Sequence, residues 1–218
     1  MIDVIFLAAG EGKRAKLGFP KQYAMLGGKP MMVHGLELLQ GMEEISRIII
    51  PCRDIQFVKK VIKDFNIKKA IYVEGGETRQ NSVWNGLQQT TTSQVLIMEA
   101  VRPFVTMKLI REVMDVKATV VTPWITGKAS TLGSSKRFFN RNEIGQVQMP
   151  QKFQTQTLIN AHALARKEYT DDSMLVWCEM GKFPVIIEGE EINIKITTPL
   201  DLIIAEAIFK SKYRSEEE

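Results

Sequence analysis

A glycine-containing loop near the amino terminus carries cations and could bind a polyphosphate. Gly10 and Gly12 let the backbone turn tightly and approach a ligand, so that several N–H groups can face an anion. Arg14 and Lys21 add two positive side chains close to these glycines. Cations together with backbone donors suit a polyphosphate better than a neutral ligand. The segment therefore predicts a nucleotide-binding loop.

Two common phosphate-binding patterns fit this loop poorly. A Walker loop ends in Gly-Lys-Ser/Thr, which the segment lacks. The dinucleotide fingerprint has a third glycine where this chain has Ala15, and an acidic residue about 20 positions further on. Alanine is tolerated at that third position, so an NAD(P)-dependent oxidoreductase is weakened as an alternative but not excluded.

The elements around the loop predict where it lies. Val4–Leu7 is short and uniformly apolar, as in a strand buried on both faces. Further strands are predicted at 47–51, 70–73, 94–98 and 120–121, alternating with helices at 30–40, 56–65, 81–88 and 106–116. This alternation predicts an α/β fold with a mostly parallel sheet and helices on both faces. Because ligands bind beyond the carboxyl ends of such strands, the first loop, Gly75-Gly76 and Glu99-Ala100 should border one cleft.

The carboxyl-terminal half departs from this alternation. Residues 123–148 are rich in glycine, serine and basic residues, and a structureless loop of that length is unusual inside a compact domain. A disordered insert is one interpretation. Beyond it we predict a helix at 154–168, a helix capped by Thr170, strands near Val185 and Ile194, and a last helix that begins at Thr198-Pro199.

Six motifs in order along the chain carry a resemblance to a known family. They are Ala8-Ala9-Gly10-x-Gly12-x-Arg14 with Pro20-Lys21-Gln22-Tyr23, Gly75-Gly76-x-x-Arg79-x-x-Ser82, Ala100-Val101-Arg102-Pro103-Phe104, Pro150-Gln151-x-Phe153, Thr170-Asp171-Asp172, and Asn193-Ile194-Lys195-Ile196-Thr197. The chain resembles the cytidylyltransferases that make CDP-activated polyols, which act on 2-C-methyl-D-erythritol 4-phosphate or ribitol 5-phosphate. The resemblance implies a Rossmann-like fold and transfer of CMP from CTP to a phosphorylated polyol, as in isoprenoid biosynthesis.

The resemblance also implies a role for each matching residue. Arg14, Lys21 and Lys195 would be the catalytic cations, and Glu99 would be the ligand of a Mg²⁺ ion. The nucleotide-binding residues would be Ala8, Ala9, Gly10, Gly12, Gly76, Arg79, Ser82 and Ala100, and the acceptor-binding residues would be Arg102, Arg141 and Thr170. Without the resemblance, a lone lysine between Ile194 and Ile196 is typical of the solvent-facing side of a strand. Residues 123–148 would be an extended β-arm that exchanges across a homodimer and brings Arg141 to the partner's acceptor site.

Two departures from the family pattern leave a second function open. Met98-Glu99-Ala100 replaces a His-Asp-Ala pattern, which lengthens the acidic side chain by one methylene, and Met149 replaces a threonine. A non-catalytic nucleotide-binding protein of the same fold is therefore an alternative. The identity of the acceptor also stays open, because Val101–Phe104 favours ribitol phosphate, whereas Thr170–Asp172 favours methylerythritol phosphate.

Composition excludes several classes. The 218 residues, of which 44% are hydrophobic, suit a single domain spanning 1–218. No apolar run reaches the length of about 18 residues that a membrane helix needs, and no signal peptide is recognised, so we expect a cytoplasmic protein that binds no membrane. The net charge of +4 is modest, and the lysines clustered at 59–69 alternate with apolar residues as on the solvated face of an amphipathic helix, which argues against nucleic acid. We expect Cys52 and Cys178 in the core, and His34 and His162 on helix surfaces without zinc.

Overall fold

One mixed eight-stranded sheet organises the part of the chain that the computed structural model describes, residues 1–11, 18–127, 131–133 and 138–211. The strands are β1 (Ile2–Leu7), β2 (Met25–Leu26), β3 (Lys29–Pro30), β4 (Ile45–Cys52), β5 (Ala70–Glu74), β6 (Gln94–Glu99), β7 (Val120–Thr126), β8 (Thr131–Gly133), β9 (Phe138–Asn140), β10 (Gly145–Val147), β11 (Gln151–Gln154) and β12 (Val185–Glu188). The helices are α1 (Met31–Gly41), α2 (Ile55–Ile62), α3 (Arg79–Leu87), α4 (Met107–Asp115), α5 (Thr155–Leu164), α6 (Asp172–Met180) and α7 (Pro199–Lys210). No α-helix among these residues is long and apolar enough to cross a membrane.

The sheet is parallel where strands and helices alternate and antiparallel where they do not. Strands β5, β4, β1 and β6 lie side by side in that order, and all pair in parallel. Strand β11 then pairs antiparallel with β6 on one side and with β7 on the other. Strand β7 also pairs antiparallel with β10 and in parallel with β12. The predicted α/β fold with a mostly parallel sheet is confirmed.

Both faces of the sheet are buried under helices. Val4 and Phe6 of β1 belong to a core that includes buried residues of α1, α2 and α4. Ile5, which faces the opposite way, belongs to a second core built with α3, α5 and α6. Alternate residues of one strand thus enter two different cores, which explains why its sequence is apolar throughout.

Helix starts follow the predicted capping chemistry in two cases and differ in one. The Thr106 hydroxyl accepts from the backbone N–H of Leu109, and Thr198 forms a capping box with Asp201. The prediction that Thr170 caps a helix is wrong, because Asp171 accepts from the N–H groups of Ser173 and Met174 and is the cap of α6. The carboxylate reaches two amides at once, which makes it the stronger cap.

The strand predicted near Ile194 is also wrong. Residues 189–197 form no strand, since the N–H of Ile194 donates to the carbonyl of Ile192, only two residues earlier, at 2.7 Å. The N–H of Ile196 donates to Val101 at 3.0 Å. An irregular segment, held at isolated points, therefore carries Lys195.

Burial corrects three further expectations. His34 is buried, with Nε2 2.9 Å from the carbonyl oxygen of Leu26, and the side chain of His162 is buried beside Asp172. Neither histidine lies on a helix surface, because each has a polar neighbour inside the protein. Cys52 is in the core as predicted, but Cys178 is exposed on α6.

Parts of the segment predicted as an arm belong to the main sheet. Strand β7 continues to Thr126, and β10 returns along it with Gly145 opposite Thr126. Between these strands the structure describes a β8–β9 pair and a short 3₁₀ helix at Arg141–Glu143. The base of the arm is thus a β-ribbon continuous with the sheet.

Candidate active site

A cleft of about 400 Å³ opens at the carboxyl ends of β1 and β6. Its lining includes these residues predicted from the sequence: Ala9, Gly10, Lys21, Gly76, Arg79, Ser82, Glu99 and Lys195. The predicted convergence of the first loop, the glycine pair and the end of β6 on one cleft is therefore confirmed. A volume of this size is typical of small-molecule sites.

The described part of the first loop is held by side chains that bind its carbonyl groups. The Gln22 amide donates to the carbonyl oxygens of Ala8 at 2.7 Å and Gly10 at 2.9 Å. The Arg53 guanidinium donates to the carbonyl oxygen of Ala9 at 3.1 Å. Three successive carbonyl groups of the loop thus have hydrogen-bond donors within the protein, which fixes the loop at the edge of the cleft.

The second loop requires glycine because the backbone is close-packed there. A Cβ on Gly75 would lie 2.4 Å from the Cβ of Ala9, and a Cβ on Gly76 would lie 2.2 Å from that of Asn81. The Gly76 N–H donates to the Ser82 hydroxyl at 3.1 Å, and that hydroxyl donates to the carbonyl of Thr78 at 2.9 Å. Ser82 therefore fixes the turn that leads into α3.

Three cations surround one buried carboxylate at the bottom of the cleft. Glu99 Oε1 lies 2.6 Å from Lys195 Nζ and 3.9 Å from Arg79 Nε, and Oε2 lies 3.0 Å from Arg102 Nε. Burial alone would raise the pKa of Glu99, but Lys195, Arg102 and Arg79 together hold that pKa below its usual range. The cluster carries net positive charge, as binding of a polyphosphate requires.

Arg79 is itself held by a carboxylate that is distant in sequence but adjacent in the fold. Its Nη2 donates to Asp172 Oδ2 at 2.7 Å, across 93 residues of sequence. Burial raises the pKa of Asp172, but Arg79 and His162 lower it by more, so the net pKa lies below the usual value. The His162 ring stacks on Trp84, with ring centroids 5.8 Å apart. Asp172 thus links the first turn of α6 to the cleft.

Comparison with known proteins assigns the chain to a family. The family model described as 2-C-methyl-D-erythritol 4-phosphate cytidylyltransferase matches residues 2–211. The chain belongs to this family. Enzymes of that name from Geobacillus thermodenitrificans and Geobacillus kaustophilus are 36% and 37% identical to it over 224 residues, covering 96% of this chain and 97% of each relative.

Solved structures agree with this assignment and with its Rossmann-like α/β fold. The Thermus thermophilus 2-C-methyl-D-erythritol 4-phosphate cytidylyltransferase superposes with a TM-score of 0.79 at 28% identity, covering 96% of this chain and 98% of that one. The 4-diphosphocytidyl-2C-methyl-D-erythritol synthase of Anaerococcus prevotii gives a TM-score of 0.83 at 26% identity, covering 96% of both chains.

Several residues that the cytidylyltransferase pattern implies lie outside the cleft lining. Ala8 and Ala100 are buried beneath it, where Ala100 donates its N–H to the carbonyl of Leu7 at 3.1 Å. Thr170 is exposed next to the cap of α6. Gly12, Arg14 and the side chain of Arg141 lie outside the described residues. The roles assigned to all of these residues stay predictions.

Sequence reasoning missed the residues that hold the family's functional groups in place. Gln22 was part of a matching motif, but no spacing rule indicated that it binds the carbonyl groups of its own loop. Asp172 was also in a matching motif, and its ion pair with Arg79 depends on the packing of α6. Arg53 follows β4 without a recognisable pattern. Arg102, predicted to bind the acceptor, donates to Glu99 and to the carbonyl of Asn193.

The metal-binding potential rests on Glu99. No group of three or more His, Cys, Asp or Glu side chains among the described residues could hold a metal by itself. Mg²⁺ is commonly held by one or two carboxylates together with substrate phosphates and water. The exposed Glu11 and Glu77 also line the cleft, but Glu99 is its buried carboxylate and fits a Mg²⁺ ion that is bound mainly through the nucleotide.

Proposed function

We propose that this protein transfers CMP from CTP to 2-C-methyl-D-erythritol 4-phosphate and releases pyrophosphate. The observation that carries the proposal is the cleft: Arg79 and Lys195 approach Glu99 there, and Lys21 also lines it, in a chain that matches the cytidylyltransferase family over residues 2–211. Both substrates are anions, and a cation-lined cleft is what their close approach requires. The match to the methylerythritol branch favours that acceptor over ribitol 5-phosphate.

The chemistry is a displacement at phosphorus. An oxygen of the acceptor phosphate forms a bond to the α-phosphorus of CTP, and the bond between that phosphorus and the oxygen bridging to the β-phosphate breaks. Lys195 and Lys21 would stabilise the negative charge that develops on the α-phosphate. Arg14 and the loop amides would hold the β- and γ-phosphates. Holding the two anions in line for the displacement would supply most of the remaining rate enhancement.

Glu99 controls the position of Lys195 before substrate arrives. The 2.6 Å contact keeps the ammonium group inside the cleft, although the side chain of Lys195 is 39% exposed. A bound triphosphate competes with this carboxylate for the same ammonium group. Lys195 can therefore pass from Glu99 to phosphate oxygens without entering bulk water.

We include Mg²⁺ in this proposal, with Glu99 as its protein ligand. The ion would neutralise phosphate charge in the bound nucleotide. One Glu99 oxygen would be available to it once Lys195 contacts the substrate.

We also propose a homodimer in which residues 123–148 act as the arm of a single domain spanning 1–218. The pairing at the base of the arm supports this arrangement, because β7 and β10 belong to the main sheet, whereas β8 and β9 between them pair with each other in a separate sheet. Arg141 would then act in the partner's acceptor site. The cytoplasm remains the expected setting of the reaction.

The test is a direct assay of product formation. Purified protein is mixed with CTP, Mg²⁺ and 2-C-methyl-D-erythritol 4-phosphate, and pyrophosphate release and the CDP-linked product are measured. Ribitol 5-phosphate replaces the acceptor in a parallel reaction, and CTP binding is measured by calorimetry. We expect turnover with methylerythritol phosphate. CTP binding without turnover on either acceptor would support the non-catalytic alternative, and thermal protection by NAD(P) but not by CTP would support an oxidoreductase.

A further inference from the structure

Lys195 depends on a segment that has no secondary structure of its own. Residues 189–197 lie between β12 and α7, outside any helix or strand. Such segments are mobile unless other groups hold them. On the carboxyl side of Lys195, Ile196 is buried and its N–H donates to the carbonyl of Val101 at 3.0 Å. The amino-terminal side needs an anchor of comparable strength.

Asn193 supplies that anchor from a fully buried position. Its Nδ2 donates to the carbonyl of Met149 at 2.7 Å, and its own carbonyl accepts from Arg102 Nη1 at 2.7 Å. Arg102 binds Glu99 at the same time, and Glu99 binds Lys195. Both the backbone before Lys195 and the side chain of Lys195 are thus connected to Asn193.

Gln148 extends this connection to the base of the arm. Its side-chain amide forms two bonds with the backbone of Glu190, one from Nε2 to the carbonyl at 2.8 Å and one to Oε1 from the N–H at 3.0 Å. Asn193 Nδ2 lies 3.4 Å from the same Oε1. The backbone N–H of Gln148, directly after β10, donates to Pro123 of β7 at 2.8 Å.

We infer that Gln148 and Asn193 are positioning residues for Lys195, and that through them the base of the arm sets the placement of a catalytic cation. The inference rests on the proposed function. Neither residue lines the cleft, and both are buried. Gln148 binds the backbone of Glu190 in the segment that carries Lys195, and Asn193, within that segment, binds the carbonyl of Met149. A displacement of about 1 Å of a catalytic group costs up to about 100-fold in rate. The pair is thus expected to affect turnover more than nucleotide binding.

The experiment is a double-mutant cycle between Asn193→Leu and Lys195→Ala. Leucine has the branching of asparagine with two bulkier methyl groups in place of the amide atoms, so the change removes the side-chain hydrogen bonds without opening a cavity. We expect Asn193→Leu to lower kcat at least tenfold and to change KM for CTP less than threefold. A loss of this size, confined to kcat, is what a misplaced catalytic group produces. In the double mutant, kcat should be no lower than in Lys195→Ala alone, because a cation that is absent cannot be misplaced.

Controls separate positioning from loss of stability. Lys152→Met removes another buried polar side chain, which donates to the carbonyls of Met114 and Val116 away from the cleft. It should lower the melting temperature and leave kcat at 25 °C unchanged. If Asn193→Leu does not fold, Gln148→Met is tested in the same cycle and interpreted by the same criteria.

The outcomes are distinct. Native kcat in folded Asn193→Leu overturns the inference, and so does a double mutant in which the two losses multiply, because Asn193 would then act independently of Lys195. An inactive wild-type protein that binds CTP contradicts the proposed function instead. A loss of kcat that disappears in the Lys195→Ala background supports the inference.

Discussion

Replacing Glu99 with glutamine removes the buried carboxylate that Lys195, Arg102 and Arg79 share. The side chain keeps its size, but Lys195 and Arg102 lose a charged partner at 2.6 Å and 3.0 Å, and Arg79 loses one at 3.9 Å. Removing one member of a buried ion pair costs about 3–5 kcal/mol. Lys195 is partly exposed, so its share is screened by water and we take the lower end, about 3 kcal/mol. For a protein of this length that lowers the melting temperature by about 6–12 °C.

The measurement pairs thermal unfolding with a Mg²⁺ titration of turnover. Glu99→Gln should melt earlier and lose most Mg²⁺-dependent activity, because the charge is gone. Glu99→Asp keeps the charge and matches the shorter acidic residue of the family pattern, so it should retain or exceed native activity if the pocket has the family's shape. Glu74→Gln, at an exposed carboxylate, is the matched control and should change stability by no more than about 0.5 kcal/mol.

Two results would refute this reasoning. An unchanged melting temperature in Glu99→Gln would show that the three cations do not depend on the carboxylate. Full activity of Glu99→Gln at every Mg²⁺ concentration would show that Glu99 is no metal ligand. Loss of activity in Glu99→Asp would indicate instead that the pocket has adapted to the longer side chain.

Four further predictions follow from the site. Lys195→Ala and Arg14→Ala should each lower turnover more than tenfold, since loss of such a group costs about 2–4 kcal/mol of barrier, and near-native turnover at saturating CTP would contradict that role. Mixing inactive Arg141→Ala chains with inactive Lys195→Ala chains should restore activity through hybrid sites; if subunits exchange and none returns, the arm serves its own chain. Asp172→Asn should lower the free energy of unfolding by about 3 kcal/mol and raise KM for CTP, because the buried Arg79 loses its charged partner. Unchanged values of both quantities would refute the role of Asp172 in holding Arg79 in the cleft. The pKa values of Asp172 and Glu99 lie below their usual values in the folded protein. Their contribution to stability is therefore complete above about pH 5 and is lost as the pH falls through the folded-state pKa values. Between pH 6 and pH 3 the melting temperature should therefore fall less steeply in Asp172→Asn than in the native protein.

The parallel strands, the caps of α4 and α7 and the location of the cleft could be predicted because local sequence determines them. Val4–Leu7 is apolar throughout because both faces of β1 are covered, and Thr198 has its capping partner three residues away. The glycines at 75 and 76 mark a real close approach of backbone to Ala9 and Asn81. Each of these signals lies within a few residues of the feature that it predicts.

The failures concern contacts between distant parts of the chain. A strand was predicted around Lys195 because isoleucines flank it, but Asn193 is held by Met149, 44 residues away, and the segment never joins the sheet. The burial of His162 depends on Asp172 and Trp84, which belong to other helices. Periodicity describes one element at a time and carries no information about which other element will pack against it.

The position of β11 has a consequence for synthesis of the chain. Residues 151–154 fill the gap between β6 and β7, so β6 has a neighbour on only one side until they have left the ribosome. Within the described ranges, the strands that pair with β7 are β10, β11 and β12, all of which are made later. The half-sheet of β5, β4, β1 and β6 must therefore wait with an open, apolar edge at Leu96 and Ile97, the kind of edge at which nascent chains aggregate. Slow translation between residues 100 and 150 would prolong that exposure, whereas chaperone binding there would protect it.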